Sequence, residues 1–174
     1  MTFHVGEKVV YPNQGVGTIE NISSRTFGEQ FERFYLLRFV YSSTTVMVPF
    51  SNVQQVGLRR VTSASEINRI LAFLSKGDCQ CNADWKDRFK ENSDKMQSGA
   101  LHAAAEVLKS LLILQRQKPL SFREKKMLER ARHMLTSEVA IVRRLSDFDA
   151  EDVLQKALAK ASLCLPERAL AAGA

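Results

Sequence analysis

The sequence predicts an α+β fold, in which a small β-rich module over residues 1–60 precedes an all-helical domain over residues 61–174. Three observations support this prediction. Short β-branched and aromatic stretches, interrupted by glycine and proline, fill the first part of the chain. The hydrophobic spacing then changes to a helical period from about Ser63. The composition, with 45% hydrophobic and 25% charged residues, is typical of globular proteins.

The predicted strands of the first module follow one another at short intervals. The stretch GEKVVYP ends at Pro12, and the glycines of NQGVGTIENI allow a turn before alternation resumes at Val16. RTFGEQFERFYLLRFV predicts two strands around residues 27–30, and TTVMVPF predicts a further strand that stops at Pro49. Short, closely spaced strands of this kind indicate a strongly bent sheet or a partial barrel.

About five helices are predicted in the second domain. The first begins with a capping box, in which Ser63 is the N-cap and Glu66 follows three residues later, and it ends at 77–78. The later helices are predicted over 85–97, over 100–117, from a second capping box at Ser121 and Glu124, and over about 149–163. The tail from about residue 165 carries small residues and is predicted to fray.

The charge and the hydropathy pattern restrict the partners. The net charge of +6 and the pI of about 9.4 favour a polyanionic partner without establishing one. No stretch approaches the roughly 18 apolar residues of a membrane helix. The stretch MTFHVGEKVV lacks the pattern of a signal peptide. We expect a cytoplasmic protein that makes no membrane contact, and we expect a monomer.

Cysteine usage and motif content argue against a disulfide framework, a metal site and an enzyme. The three cysteines, Cys79, Cys81 and Cys164, are odd in number and fit a reducing compartment. No histidine lies near Cys79 and Cys81 in the sequence, whereas zinc needs about four ligands. The chain carries no glycine-rich phosphate loop and no nucleophile elbow. We therefore expect a binding protein or regulator that uses no cofactor, not an enzyme.

The only tryptophan of the chain, Trp85, stands among charges in NADWKDRFK, where a helix is predicted to begin. With Asp84 as the N-cap and about 100° per residue, Trp85 falls on one stripe with Phe89 and Met96. The charged residues divide into a flank with Lys86 and Lys90, a flank with Arg88 and Lys95, and an opposite side with Asp87, Glu91 and Asp94. The helix thus presents an aromatic edge between basic side chains.

This edge has two interpretations. Lysine and arginine neutralise phosphates and position a duplex, and an apolar side chain between them can wedge against a base step. Alternatively, Trp85 and Phe89 pack on a neighbouring helix while the basic residues are only solvated. Periodicity alone favours the packed arrangement, although Trp85 lies at the very end of the predicted helix.

Several motifs, in their order and spacing, resemble the CarD/CdnL family of bacterial transcription regulators. They are VGEKVVYPNQGVGTIE, FYLLRF, VMVPFSNVQQVGLR, DWKDRFKEN and LSFREKKMLERAR, and the resemblance extends to about Leu163. The N-terminal part resembles the RNA-polymerase-interacting module that also occurs in transcription-repair coupling factors. No helicase motifs follow, so the chain is similar to the short regulator.

The resemblance implies that the N-terminal module is a Tudor-like domain that docks on the β subunit of bacterial RNA polymerase. The docking residues implied for this chain are Arg25 in the second strand, with Met47 and Pro49 in the fourth. Met47 stands where some members of the family carry arginine, so the contact through it would be apolar.

The resemblance further implies that the helical domain contacts promoter DNA in the minor groove, without sequence specificity. Trp85 would be a wedge at the upstream edge of the transcription bubble, and its basic neighbours would hold the DNA backbone; these are Lys86, Arg88 and Lys90. Asp87 stands where some members are basic, which would weaken DNA affinity.

Two functions are therefore compared below. The first is a regulator that docks on RNA polymerase and stabilises the promoter open complex through Trp85. The alternative is a protein-only adaptor, which recruits a partner through its β module and keeps Trp85 inside the helical core.

Overall fold

The structure is a computed structural model that describes residues 2–12, 14–39, 43–77 and 84–167. Within these residues an antiparallel sheet of five strands precedes five helices, which confirms the predicted α+β architecture. The pair Cys79 and Cys81 lies outside the described residues. Among the helices that are described, none is long and apolar enough to cross a membrane.

The five strands pair in the order β4-β3-β2-β1-β5, and each strand is antiparallel to its neighbours. Their bounds are β1 Lys8–Tyr11, β2 Gly15–Phe27, β3 Gln30–Phe39, β4 Thr45–Pro49 and β5 Arg59–Arg60. Strand β5 was not predicted, because a two-residue strand shows no alternation in the sequence. It pairs antiparallel with β1, where Val9 lies opposite Arg60 and Val10 opposite Arg59.

One face of this sheet forms the core of the β module. Tyr35 is buried there among apolar side chains, and its hydroxyl accepts a hydrogen bond of 3.1 Å from the Phe3 amide. Its ring stacks on Phe50, in the short 3-10 helix Phe50–Asn52 that follows β4, at a centroid distance of 4.0 Å. The remaining buried members are Val9, Ile19, Leu37, Val48, Val53 and Leu58.

The helices are α1 Ala64–Leu74, α2 Trp85–Gln97, α3 Leu101–Gln117, α4 Phe122–Arg143 and α5 Asp147–Lys160. Helix α5 begins two residues earlier than predicted, because the Ser146 side chain accepts from the Asp149 amide and caps it. The predicted capping box of α4 is complete. At α1, Ser63 accepts from the Glu66 amide, but the Glu66 carboxylate pairs with Arg69 instead of closing the box.

The segment after α5 is anchored as far as Pro166. Leu163 and Leu165 are buried in the helical core. Arg132 donates a hydrogen bond of 2.8 Å to the Pro166 carbonyl, and the Leu165 amide donates one of 2.8 Å to Gln155. The predicted fraying from about residue 165 is therefore wrong for Leu165 and Pro166. Residues 168–174 lie outside the described part of the chain.

Glycine is required where α2 meets the β module. Gly99 follows the C-cap of α2 and has φ +69°, a conformation that L side chains rarely adopt. A Cβ atom there would lie 2.8 Å from the Cγ atom of Pro12, the residue after β1. Gly99 therefore ends α2 and also leaves space for the Pro12 ring.

We expect Gly99→Ala to destabilise the protein more than Gly28→Ala does. Both glycines have positive φ, which should cost about 1–2 kcal/mol for alanine, but a Cβ at Gly28 meets nothing within 4 Å. The Pro12 contact should add roughly 1–3 kcal/mol at Gly99. Urea unfolding of both variants measures the difference, and equal losses would show that Pro12 gives way freely.

Candidate functional site

Trp85 is an exposed aromatic residue at the first position of α2. The Asp84 side chain accepts a hydrogen bond of 2.9 Å from the Lys86 amide and thereby fixes the start of the helix, as predicted. The Trp85 side chain is 62% exposed, and the Lys86 ammonium lies 5.7 Å from its ring centroid. The helix N-terminus and Lys86 thus place positive charge beside an exposed indole.

The other members of the aromatic stripe are more buried. Phe89 is half-buried and Met96 is 3% exposed, in the core of the helical domain. The stripe therefore changes along α2 from an exposed tip to a packed base, and Trp85 is its exposed member.

Arg88, for which the resemblance implies a contact to the DNA backbone, does not lie on the exposed surface of α2. Its side chain is only 6% exposed, and its guanidinium lies 3.8 Å from the carboxylate of Glu124, in the first turn of α4. Helical projection places Arg88 on a flank of α2, but α4 covers that flank. Arg88 therefore joins the N-terminal ends of two helices instead of facing DNA.

Lys95, predicted on the same flank, is also engaged within the domain. Its ammonium lies 2.9 Å from Glu91 and 2.9 Å from Glu106. Burial opposes its charge, but the hydrogen bonds to the two carboxylates outweigh burial and raise the pKa of Lys95. On this helix Lys86 and Lys90 are the exposed basic residues nearest to Trp85.

Asp87 has a structural explanation. It is an exposed residue in the first turn of α2, where a carboxylate interacts favourably with the positive end of the helix dipole. Asp87 thus stabilises the helix that carries Trp85, and its negative charge lowers the positive potential around the indole.

A groove of about 590 Å³ separates the start of α2 from the start of α4. Trp85 and Phe89 line it from α2, and Phe122 lines it from α4. Phe122 is 71% exposed, and the Lys126 ammonium lies 4.7 Å from its ring centroid. Phe122 was not predicted as a site residue, although its pattern repeats that of Trp85: an aromatic residue directly after an N-cap, with a lysine on the same side.

Glu124 holds the two helix starts together. Its carboxylate accepts a hydrogen bond of 2.8 Å from the Ser121 amide, as the second half of the capping box, and it faces Arg88. Burial alone would raise the pKa of Glu124, but the hydrogen bonds from Ser121 and the positive charges of Arg88 and Lys118 outweigh it. The pKa is therefore lowered from its ordinary value of 4.5.

The residues predicted to bind polymerase share the other face of the sheet, opposite the core of the β module. In the β3–β4 register Tyr35, which points into the core, lies opposite Val48, so the neighbours Met47 and Pro49 point outward. Pro49 pairs with Phe34, and Phe34 pairs with Ser23. Arg25, two residues beyond Ser23 on β2, therefore points to the same side.

The side chains on this face are accessible to solvent at Arg25 on β2 and at Met47 on β4. Arg25 is exposed, Met47 is 36% exposed and Pro49 is half-buried. Met47 and Pro49 lie on β4, an edge strand of the described sheet. The three residues therefore form a mixed apolar and basic surface that we call the outer sheet face.

Among the described residues, no group of three or more histidine, cysteine, aspartate or glutamate side chains is placed to hold a metal ion. Cys164 is an exposed free thiol.

Two family models match this chain. One is described as the CarD-like/TRCF RID domain and matches residues 3–62. The other is described as the CarD C-terminal domain and matches residues 69–155. Together they cover the sheet and most of the helical domain.

A known protein and a solved structure are similar to the chain. "Putative transcription factor YdeB" from Bacillus subtilis (strain 168) is 33% identical over 145 residues, which cover 83% of this chain and 95% of that protein. The solution NMR structure of the 72-residue N-terminal domain of Myxococcus xanthus CarD is 36% identical. That match covers 34% of this chain and 79% of the other, with a TM-score of 0.30.

We expect Glu124→Gln to remove a pH-dependent part of the stability. A carboxyl with a lowered folded-state pKa stabilises the fold above its ordinary value of 4.5, and this contribution is lost as the pH falls through the folded-state pKa. Glutamine retains the capping geometry but leaves Arg88 without the charge, so near neutral pH the variant should lose about 1–3 kcal/mol.

Urea unfolding of both proteins between pH 7 and pH 3 tests this expectation. The two stability curves should be separated by a constant amount above about pH 5 and should converge below 4.5. Curves that stay parallel down to pH 3 would contradict the assigned role of the Glu124 charge.

Proposed function

Because the chain belongs to the CarD/CdnL family of bacterial transcription regulators, we propose that it docks on the β subunit of RNA polymerase and stabilises the promoter open complex. In this proposal Trp85 inserts at the upstream edge of the melted DNA. The observation that carries the proposal is the 62% exposure of Trp85 at a helix N-terminus beside Lys86. A core tryptophan would not leave most of its ring in water.

The outer sheet face supports the docking half of the proposal. It lies within residues 3–62, which match the CarD-like/TRCF RID domain. Arg25 supplies a charged, forked donor, and Met47 supplies an adaptable apolar contact on the edge strand. A charged contact beside an apolar one is a common basis for recognition between proteins.

The start of α2 supports the DNA half of the proposal. An indole can occupy the edge of an unstacked base step, while Lys86 and Lys90 neutralise phosphates on either side. Unstacking one base step costs a few kcal/mol of free energy. An aromatic ring that fills the opened step can stabilise it by a comparable free energy. About 1.4 kcal/mol is enough to change the population of the open complex tenfold.

Docking on polymerase removes the need for strong DNA binding. With Arg88 buried, Lys86 and Lys90 are the predicted backbone contacts that remain exposed on α2. Two phosphate contacts give weak binding that depends on salt. A protein held on the polymerase presents Trp85 to the promoter at a high effective concentration, so this weak contact is sufficient.

The adaptor alternative depended on a tryptophan packed inside the helical domain. The exposure of Trp85 contradicts that premise. Recruitment of a further protein through the β module is compatible with the fold, but it leaves the exposed indole and its basic neighbours without a role.

We expect Trp85→Ala to shorten the lifetime of the open complex on a weak promoter by about tenfold, equivalent to roughly 1.4 kcal/mol. The measurement is competitor-challenged dissociation of complexes formed with reconstituted bacterial RNA polymerase. Phe148→Ala is a matched control, because Phe148 is an 84% exposed aromatic in the first turn of α5. An unchanged lifetime for Trp85→Ala, with normal polymerase binding, would falsify the wedge.

We expect Arg25→Glu to weaken binding to the polymerase β subunit by at least about tenfold, because the change places a carboxylate where a cation is needed. Arg33→Glu is the matched control. Arg33 lies opposite Ser24 in the same hairpin, but its guanidinium is 4.9 Å from the Phe50 ring on the core side of the sheet. Titration with the isolated β-subunit docking domain measures both, and equal losses would remove the outer sheet face from the interface.

A further inference from the structure

The proposed function requires two surfaces on separate modules to act at one promoter, and the structure contains a polar joint between these modules. Resting on that function, we propose that Arg59 is a positioning residue, which fixes the direction of α2, and therefore of Trp85, relative to the outer sheet face. Arg59 belongs to β5, the last strand of the β module.

Arg59 reaches across the joint to two helices. Its Nε and Nη2 atoms donate to the Gly99 carbonyl, just after α2, at 2.9 and 2.7 Å. Its Nη1 and Nη2 atoms donate to the two carboxylate oxygens of Glu138, on α4, at 3.1 and 2.6 Å. One guanidinium therefore binds the sheet, the end of α2 and the middle of α4 together.

Glu138 makes this joint directional. Its side chain is 1% exposed, and in addition to Arg59 it accepts a hydrogen bond of 3.1 Å from the Thr62 amide, between β5 and α1. A buried carboxylate must keep its donors, since removing one partner leaves an uncompensated charge. The joint therefore favours one relative orientation of the modules over small rotations away from it.

A second contact holds the same end of α2. Pro12, after β1, lies against the position where Gly99 would carry a Cβ atom, and it also lies against Gly57. The Gly99 carbonyl thus accepts hydrogen bonds from Arg59 of the edge strand β5. The Cα atom of Gly99 faces Pro12, which follows the neighbouring strand β1. Two points of contact restrain a helix end more tightly than one hydrogen bond can.

The distance from this joint to Trp85 makes it sensitive to tilt. Helix α2 has thirteen residues, so its length is about 20 Å. A tilt of about 10° at the Gly99 end would move Trp85 by roughly 3 Å, close to the 3.4 Å rise between bases. Small errors at the joint would therefore place the indole at the wrong step.

The far end of α2 is attached to α4 as well, through Arg88 and Glu124. At the Gly99 end, Arg59 itself makes the link, because it binds the Gly99 carbonyl and Glu138 of α4 at the same time. Loss of Arg59 should therefore loosen the hold of the sheet on the Gly99 end of α2, while the packing of α4 on β2 remains.

Arg60 provides a matched control. It is the next residue of β5, and its Nε atom pairs with Glu7 at 2.9 Å, but this pair lies inside the β module. Arg59→Ala and Arg60→Ala thus each remove an arginine that pairs with a carboxylate from the same strand, and only the first crosses the joint. Arg59→Lys retains a positive charge toward Glu138 but cannot reproduce the four donor contacts, so we expect it to be intermediate.

The first test measures module orientation in the full-length chain without polymerase. Spin labels at Thr45→Cys on β4 and Lys90→Cys on α2 are placed in a background with Cys79, Cys81 and Cys164 changed to serine. Residue 90 lies about 13 Å along the helix from Gly99, so a tilt of about 10° would move it by roughly 2 Å. Pulsed electron paramagnetic resonance should therefore give a distance distribution that broadens or shifts by about 2 Å in Arg59→Ala and that is unchanged in Arg60→Ala. An unchanged distribution in Arg59→Ala, with the protein folded by circular dichroism, overturns the proposal.

The second test uses the open complex. Arg59→Ala should bind the β subunit like the parent but shorten the open-complex lifetime, and Arg59→Ala/Trp85→Ala should be no shorter than Trp85→Ala alone. A double variant that is clearly shorter than both singles means independent action and overturns the proposal, as does lost β-subunit binding. If Trp85→Ala itself has no effect, the proposed function fails, while the spin-label distances still decide the role of Arg59.

Discussion

One partly buried ion pair, between Arg59 and Glu138, gives the junction of the two modules its direction, beside the packing of α4 on β2. Each module has its own apolar cluster of buried residues, so burial of hydrophobic surface stabilises each module separately. An apolar joint between them would tolerate sliding, because the hydrophobic effect has no direction. A carboxylate such as that of Glu138, with three donors in fixed positions, resists sliding, because its hydrogen bonds weaken steeply as their angles change. A buried ion pair adds little net stability, because desolvation offsets the attraction between the charges. The proposed role of this pair is to fix the relative orientation of the two modules.

The same principle explains the charged stretch around Trp85. Asp84 caps the helix, Asp87 interacts with its dipole, and Arg88 joins it to α4 through Glu124. Three of the charges that surround the indole in the sequence thus build the helix and its attachment. Lys86 and Lys90 remain for a ligand. A residue that lies among charges along the chain is therefore not necessarily surrounded by free charges in the fold.

Much of this was predictable from the sequence, because periodicity and capping are local. The first four strands, the start of α2 at Trp85 and the capping box of α4 all follow from residues that lie close together in the chain. The errors concern residues whose partners are distant. Arg88 is buried and pairs with a glutamate 36 positions away. Leu165 and Pro166 are held by Gln155 and Arg132. Strand β5 exists only because β1 pairs with it, and the position of Phe122 beside Trp85 depends on how α4 packs.

In the proposed function, weak DNA binding follows from the charges around the two helix starts. The helices that present Trp85 and Phe122 both carry an acidic residue in the first turn, which stabilises the helix start and lowers the local positive potential. A regulator with strong affinity for the phosphate backbone would be distributed over the roughly 10⁶–10⁹ non-specific sites of a genome. One that relies on polymerase for its location gains from keeping that affinity low, provided that its indole is delivered in the correct direction. In the proposed function, the Arg59 joint and the modest charge around Trp85 therefore meet one requirement: the orientation of Trp85 must supply what a low DNA affinity does not.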